Sequence, residues 1–276
     1  MTRTEQYREL RFDGVTKTFD GDVGVEDVTL SVTAGERVAI VGPSGAGKTT
    51  LLRLASGAVT PDSGTIRLDD DHLRSADVAH VYPGHTLVDR RTALANVLVG
   101  SSSSRSWWRG LFEPLAPRDP APALELLDRV GIGEKADART DTLSAGERQR
   151  VAFARALMQE APVIVADEPT ANLDPSSSTT VLDVLDDVAG SRTLLTVLHD
   201  MDLAVAHYDR IVGIVDGSVR FNRPTESTTA AELKELSARD DANTPAGHVT
   251  ENQSFADADT PKQGTEKWYV PARYWK

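Results

Sequence analysis

The chain has 276 residues, enough for one large domain or two small ones with a buried core. Cysteine is absent, which excludes disulfide frameworks and thiolate metal sites, and no apolar run reaches the roughly 20 residues of a membrane-spanning helix. The formal net charge of −12 argues against a nucleic-acid partner, because phosphates are bound mainly by Lys and Arg. These features predict a protein of a reducing cytoplasm.

Apolar strands alternate with amphipathic helices along most of the chain. Runs of aliphatic and β-branched residues predict strands at residues 37–41, 163–166, 193–198 and 210–215. Helical periodicity follows two of these strands, at residues 48–56 and 179–188. This alternation predicts an α/β fold whose mostly parallel sheet is covered on both faces.

Two segments depart from that pattern. Residues 101–122 are rich in Ser and Pro but carry Trp107 and Trp108, so this insertion either docks on a partner or covers the protein's own core. From Thr225 onward large apolar residues are few, which is typical of a chain that cannot build its own core. We therefore predict one domain over residues 9–225 and an acidic, disordered tail over residues 226–276.

The stretch GPSGAGKT, residues 42–49, directly follows the first predicted strand. Its glycines allow the backbone to wrap closely round an anion, and the helix that begins near Lys48 offers its N-terminal amides and dipole. We expect Lys48 to reach the β- and γ-phosphates and the Thr49 hydroxyl to bind magnesium. The pattern predicts a triphosphate site formed by Gly42, Pro43, Ser44, Gly45, Ala46, Gly47, Lys48, Thr49 and Thr50.

Two carboxylates end the strand predicted at residues 163–166. Functional groups of buried parallel strands lie at the carboxyl ends, where loops open onto the ligand crevice. Asp167 is expected to hold Mg²⁺ directly or through water, and Glu168 to act as general base for the water that attacks the γ-phosphate. Paired acids after a strand are otherwise often only a helix cap, and the catalytic interpretation depends on the phosphate loop nearby.

The stretch LSAGERQR, residues 143–150, predicts a second helix N-terminus. Ser144 and Glu147 have the spacing of a capping box, and a helical run follows at residues 151–158. A capped helix N-terminus with small neighbours is also an anion site. Because one domain does not need two γ-phosphate sites, the pattern indicates two copies arranged head to tail, each completing the other's pocket.

Taken together, these motifs resemble those of the ATP-binding-cassette ATPases, the nucleotide-binding subunits of ABC transporters. The similarity covers about residues 9–223 and rests on GPSGAGKT, LSAGERQR, VIVADE, the stretch ANLD at 171–174 and His199. It implies a P-loop NTPase fold of the ABC ATPase type. Such a fold has a mostly parallel core sheet, a small antiparallel β subdomain and a helical signature subdomain.

The resemblance also implies roles for individual residues. The γ-phosphate held by Lys48 of one subunit would be contacted in the other subunit by Ser144, Ala145 and Gly146. Asp174 would lie in the loop across the dimer interface, and His199 would contact the γ-phosphate as a switch. Phe19 matches the position of the aromatic residue that stacks on adenine, and its alternative is a plain core phenylalanine.

Some positions differ from the family pattern. Pro83 stands where most members have a glutamine that helps to place magnesium and water and links the nucleotide to the membrane partner. Proline has neither an amide side chain nor a backbone N–H. We therefore expect Pro83 to affect how strongly ATP hydrolysis is coupled to the membrane partner. Glu147 replaces the usual glutamine of the signature, and Ala145 replaces its first glycine. The residues Lys48, Asp167, Glu168 and His199 are retained, so a working ATPase is expected.

Three stretches are similar to the ATP-binding subunit of phosphonate importers: residues 96–100, the insertion that follows them, and residues 210–217. The resemblance implies ATP hydrolysis, with ATP and Mg²⁺, that drives import of a phosphonate or phosphate-like anion. Its partners would be a second copy, membrane permease subunits and, indirectly, a solute-binding protein, at the cytoplasmic face of the membrane. The alternatives are a soluble ABC ATPase without a permease and a weakly active regulatory nucleotide-binding module.

Overall fold

The computed structural model describes residues 7–82, 86–100 and 119–233. Within them a four-stranded antiparallel sheet has the order β2-β1-β4-β5, formed by β1 (Glu9–Phe19), β2 (Asp22–Thr33), β4 (Ser63–Leu68) and β5 (Asp71–His72). Alternate residues of β1 and β2, such as Leu10, Phe12 and Leu30, are buried, as expected when one face of an antiparallel sheet packs on a core. This sheet is the predicted small antiparallel subdomain.

The larger sheet has the order β10-β9-β3-β8-β7-β6. Its strands are β3 (Arg37–Val41), β6 (Val78–Val81), β7 (Val163–Asp167), β8 (Thr193–Val197), β9 (Arg210–Val215) and β10 (Ser218–Pro224). All neighbours pair in parallel except β10, which is antiparallel to β9. The mostly parallel core sheet is therefore confirmed, with β3, which precedes the phosphate loop, near its centre.

Both faces of this sheet are covered. Val163 and Val165 belong to a buried cluster that includes the antiparallel sheet and helix α1 (Lys48–Ala55). Ile164 and Ala166 belong to a second cluster on the opposite face. The helices of that second face are α2 (Ala93–Gly100), α3 (Ala121–Arg129), α4 (Ala145–Leu157), α5 (Pro175–Ala189) and α6 (Met201–His207). The period-2 alternation in β7 thus places consecutive side chains in different cores.

The starts of two helices compare differently with the sequence expectations. Helix α4 begins at Ala145, directly after the predicted N-cap Ser144. Helix α5 begins at Pro175 rather than at residue 179, because its N-cap Asp174 starts the helix before its apolar periodicity becomes visible.

The predictions for residues 101–118, for Pro83 and for the tail from residue 234 concern positions outside the described residues. Before that point, Thr228 and Leu233 are buried. In the described ranges, the helices are too short or too polar to cross a bilayer.

Candidate functional site

The phosphate loop joins β3 to α1, and two of its glycines are required by the space around them. Gly42 has φ of +150°, and a Cβ there would lie 2.0 Å from the Ile214 carbonyl oxygen. Gly47 has φ of +100°, and a Cβ there would lie 2.1 Å from the Gly24 carbonyl oxygen. No other residue fits these positions, because both the backbone torsion and the contact exclude a side chain. The loop is consequently in close contact with backbone of both sheets.

Lys48 lies beneath this loop at the start of α1. Its Nζ donates hydrogen bonds to the carbonyl oxygens of Gly42 at 2.9 Å and Pro43 at 2.7 Å. The residue is only 5% exposed, and burial lowers the pKa of the Lys48 ammonium, while the charges of Glu168 and Asp167 oppose that shift. The ammonium is thus held inside the loop, where an anion that enters can exchange with the two carbonyls.

A cleft of about 220 Å³ opens above the loop. The residues that line it are Gly24, Ser44, Gly45, Gly47, Lys48, Thr49, Thr50, Glu168 and His199. Residues that are far apart in the sequence therefore meet in one place: the loop after β3, the carboxylate after β7 and the histidine after β8. This is the edge formed by the carboxyl ends of the parallel strands, where open α/β sheets bind ligands.

Two hard oxygen ligands, Thr49 at the border of this cleft and Asp167 behind it, lie side by side. The Thr49 hydroxyl donates to Asp167 Oδ1 at 3.4 Å. Burial raises the pKa of Asp167, and the hydrogen bond from Thr49 opposes this shift. Adjacent ligand atoms of octahedral Mg²⁺ are separated by roughly 2.9 Å. A small approach of the Thr49 and Asp167 oxygens would therefore bring the two atoms to the distance that the ion requires. Among the described residues no group of three or more His or carboxylate side chains forms a metal cage. The pair fits an ion that takes its remaining ligands from phosphates and water.

Glu168 and His199 are in direct contact. Glu168 Oε1 lies 2.6 Å from His199 Nε2, and both side chains are partly exposed to the cleft. Glu168 has φ of +46°, a backbone region that is uncommon for a residue with a side chain, and its amide donates to the Val197 carbonyl oxygen at 3.2 Å. Such strained positions occur at functional sites, where the surrounding structure holds them. The carboxylate is aimed at the phosphate loop by its own backbone and by the imidazole.

Phe19 is next to the phosphate loop rather than inside either core. Its side chain is 38% exposed, and Lys17 Nζ lies over the ring, 5.5 Å from the centroid. A Cβ on Gly24 would be 3.0 Å from both the Phe19 ring and the Thr50 methyl group, so the ring borders the start of α1. Phe19 is therefore not a plain core phenylalanine, and its partly exposed ring lies close to Gly24, which lines the cleft.

A second cleft, of about 470 Å³, lies on the other side of Thr49 and Glu168. Its lining comprises Thr49, Ala145, Arg148, Gln149, Asp167, Glu168, Pro169, Ala171, Asn172 and Leu173. Sequence reasoning did not select Arg148 or Gln149. The available signal was helical spacing, because residues three and four positions after Ala145 share its face of α4.

The N-terminus of α4 has the predicted capping box. The Ser144 amide donates to Glu147 Oε2 at 3.0 Å, and the Glu147 amide donates to Ser144 Oγ at 3.3 Å. Ser144 and Ala145 are exposed.

The N-terminus of α5 is capped by a carboxylate. Asp174 accepts hydrogen bonds from the amides of Ser176 and Ser177, both at 3.1 Å.

The described chain does not bring every predicted residue together. In the described part of the chain, seven of the predicted site residues line neither of the two clefts: Phe19, Gly42, Pro43, Ala46, Ser144, Gly146 and Asp174. Within a single copy, Ser144 and Asp174 act as N-caps of α4 and α5.

The chain is similar to known proteins over most of its length. The family model described as ABC transporter matches residues 25–171. "Phosphonates import ATP-binding protein PhnC 2" of Synechococcus sp. (strain JA-2-3B'a(2-13)) is 37% identical over 262 residues, which cover 90% of this chain and 97% of that protein. "Phosphonates import ATP-binding protein PhnC 1" of Natronomonas pharaonis is 42% identical over 226 residues, which cover 81% of this chain and 97% of that protein.

A solved structure supports the same assignment. It is a dimeric ATP-binding cassette in a post-hydrolysis state, bound to ADP and Pi, with 27% identity and a TM-score of 0.65. The alignment covers 79% of this chain and 100% of that one. Family match, relatives and fold agree with a phosphate loop, a strand-end carboxylate pair and a capped signature helix on one scaffold. The protein therefore belongs to the ABC transporter family and is one of its ATP-binding, ATP-hydrolysing subunits.

Proposed function

We propose that this ATPase energises import of a phosphonate or a phosphate-like anion through a membrane permease. The observation that carries the motor function is the single cleft that gathers Lys48, Glu168 and His199 round the phosphate loop. The cargo rests on the two relatives, each named a phosphonates import ATP-binding protein and each aligned over nearly its whole length. A soluble ABC ATPase without a permease is not favoured by those names.

The residues of the cleft divide the hydrolytic step among them. Lys48 exchanges the Gly42 and Pro43 carbonyls for β- and γ-phosphate oxygens. Glu168 accepts a proton from the water that attacks the γ-phosphorus, the bond to the bridging oxygen breaks, and ADP leaves with inorganic phosphate as the second product. His199 orients the carboxylate through its 2.6 Å contact and meets the γ-phosphate at the same end of the cleft.

Thr49 and Asp167 are the residues that would hold Mg²⁺. The ion, when bound, supplies positive charge to the β- and γ-phosphate oxygens. The raised pKa of Asp167 favours this assignment, because a cation beside a buried carboxylate offsets the cost of its ionisation. Phe19 would stack on the adenine beside Lys17.

Two copies would complete each site head to tail. Each subunit would present its exposed Ser144 and Ala145, with Gly146, to the γ-phosphate bound by the other, and Asp174 would lie at the interface. The solved cassette described as dimeric and bound to ADP and Pi, at 27% identity, supports the formation of a dimer. ATP would then close the dimer and hydrolysis would open it, so that the conformational cycle drives the permease.

The remaining assignments concern the chain's surroundings. The sequence predicts an ATPase domain at residues 9–225 and an acidic tail at residues 226–276; because Leu233 is buried in the core of that domain, the tail would begin after this residue. The permease would hold the protein at the cytoplasmic face of the membrane, and a solute-binding protein would deliver the anion from outside. No nucleic-acid partner is proposed, since the net charge is −12.

The Glu168→Gln variant tests the motor. It should hydrolyse ATP about 10²–10⁴-fold more slowly while it still binds ATP, because it keeps the shape of the side chain and loses the base. Sedimentation velocity should show a dimer when ATP and Mg²⁺ are present and a monomer when they are not. Glu125→Gln, on the exposed side of α3, is the matched control and should behave as wild type. A Glu168→Gln protein that stays monomeric with saturating ATP and Mg²⁺ would contradict the shared pocket.

The cargo requires the complete transporter. ATPase activity of the protein reconstituted with its permease and solute-binding protein should rise on addition of an alkylphosphonate and not of sulfate. Recovery of the protein only from the soluble fraction of its own cells would instead support the permease-free alternative.

A further inference from the structure

The Glu147 carboxylate lies at the N-terminus of α4, the helix end that the proposed dimer would present to the partner's triphosphate. Both Glu147 and Ser144 belong to the capping box, and Glu147 Oε2 is fixed 3.0 Å from the Ser144 amide. The box leaves the amides of Ala145 and Gly146 outside its two hydrogen bonds. A negative charge within one turn of those amides offsets the positive potential of the helix N-terminus and repels a triphosphate.

Lys135 is placed to cancel that charge. Its Nζ lies 2.6 Å from Glu147 Oε1, so one carboxylate oxygen binds the ammonium and the other binds the Ser144 amide. These contacts lower the pKa of Glu147, and the hydrogen bond from the Lys135 ammonium has the larger effect. Lys135 ends the 3₁₀ turn Gly133–Lys135, and its side chain is 49% exposed, against 17% for Glu147. The cation thus approaches the carboxylate from the solvent side, and the pair as a whole is neutral.

We infer that Lys135 is a positioning residue for the ATP site of the partner subunit. It holds the Glu147 carboxylate in the capping box and neutralises it, so that the Ala145 and Gly146 amides are free to receive the γ-phosphate. The inference rests on the proposed head-to-tail dimer. Because a symmetric dimer has two such pockets, the loss of Lys135 would weaken both of them and so destabilise the dimer at two places.

The test measures ATP-driven dimerisation in the hydrolysis-deficient Glu168→Gln background. At 50 mM KCl with MgATP, adding Lys135→Ala should raise the dimer dissociation constant about tenfold, because like charges then face each other across the interface. In 1 M KCl the same comparison should differ by less than about twofold, since a Debye length near 3 Å screens the repulsion. Lys135→Arg should restore the low-salt value.

Two comparisons separate this electrostatic role from general destabilisation. Arg139→Ala removes an equally exposed cation that pairs with Asp141 in the same segment, and it should leave dimerisation unchanged. In a Glu147→Gln background Lys135→Ala should have no effect, because there is no charge left to cancel. The inference would be overturned if Lys135→Ala raised the dimer dissociation constant equally with Glu147 and with Gln at position 147. It would also be overturned if the effect were equal at 50 mM and 1 M KCl. Neither result would count against the dimer itself. Failure of the Glu168→Gln parent to dimerise would instead overturn the shared pocket, and the inference with it.

Discussion

His80 should make the folded protein sensitive to mild acid. This residue lies in β6, its ring stacks on Tyr82 with centroids 3.9 Å apart, and both of its ring nitrogens are buried with no hydrogen-bond partner in the described part of the chain. Burial, and after it the positive charge of Arg53, lower the pKa of His80 from its usual 6.5 to about 4. The folded state therefore excludes a proton that the unfolded chain accepts.

The sign and the size of the effect follow from linkage. Above pH 6.5 the imidazole is neutral in both states and has no effect on stability; as the pH falls from 6.5 towards 4, only the unfolded state takes up the proton, and stability is lost. Between pH 7.5 and 5.5 the loss amounts to about 1.3 kcal/mol, at 1.36 kcal/mol per pH unit of differential protonation. The lower limit of pH 5.5 stays above the isoelectric point near 5.0, where solubility falls.

The assay is urea unfolding of wild type and His80→Phe across that pH range. Phenylalanine keeps a flat ring against Tyr82 but cannot be protonated, so the difference in free energy of unfolding between the two proteins should change by about 1.3 kcal/mol from pH 7.5 to 5.5. His72→Gln, at an exposed position in β5, should give a curve parallel to wild type. Parallel curves for wild type and His80→Phe, within about 0.3 kcal/mol and with equal m values, would refute the reasoning.

Substitutions at three further positions provide additional tests. Gly47→Ala should lower kcat/KM for ATP by about 10²-fold with little change in far-UV circular dichroism, since the new Cβ would meet the Gly24 carbonyl oxygen at 2.1 Å and shift the loop; an active variant would show that the loop tolerates the displacement. Asp174→Ala should lower the melting temperature because α5 loses its N-cap, whereas Asp174→Asn should keep the wild-type melting temperature because Asn can also cap the helix. Equal melting temperatures for the two variants would contradict the capping role. Pro83→Gln should change the stimulation of ATP hydrolysis by the permease more than basal hydrolysis, and equal changes in both would count against a coupling role for that position.

Local motifs made the phosphate site predictable. The loop at 42–49, the strand before it and the carboxylates Asp167 and Glu168 are short-range patterns whose chemistry follows from residue type and spacing. Four of the six strands of the core sheet, β3, β7, β8 and β9, were predicted to within one residue at their ends, because continuous aliphatic runs are typical of strands buried on both faces. The antiparallel strands β1 and β2 were not located from their own periodicity. Their pairing contains register shifts between Phe12 and Val15, which interrupt the alternation that a strand would otherwise show.

Contacts between distant residues were not predictable in this way. The capping box joins residues three apart and follows from spacing, whereas Glu168 and His199 are 31 residues apart and meet because β7 and β8 are neighbours in the sheet. The pairing of Lys135 with Glu147 depends on a turn that folds back on α4. Residues 148 and 149 face the larger cleft only because the loop after Glu168 packs beside α4. Apart from the capping box, these contacts depend on the tertiary packing; helical spacing relates residues 148 and 149 to Ala145 but does not predict which cleft they face.

The backbone contacts of Gly42 and Gly47 limit how the molecule can move. One glycine touches β9 of the parallel sheet, and the other touches β2 of the antiparallel sheet. A hydrogen bond of 3.1 Å from the Gly217 amide to the Ala46 carbonyl oxygen adds a third attachment, from the turn after β9. Sliding one sheet over the other would deform the loop, so we expect the two sheets to move together. Any rearrangement that accompanies ATP turnover would then involve the helices on the opposite face of the parallel sheet.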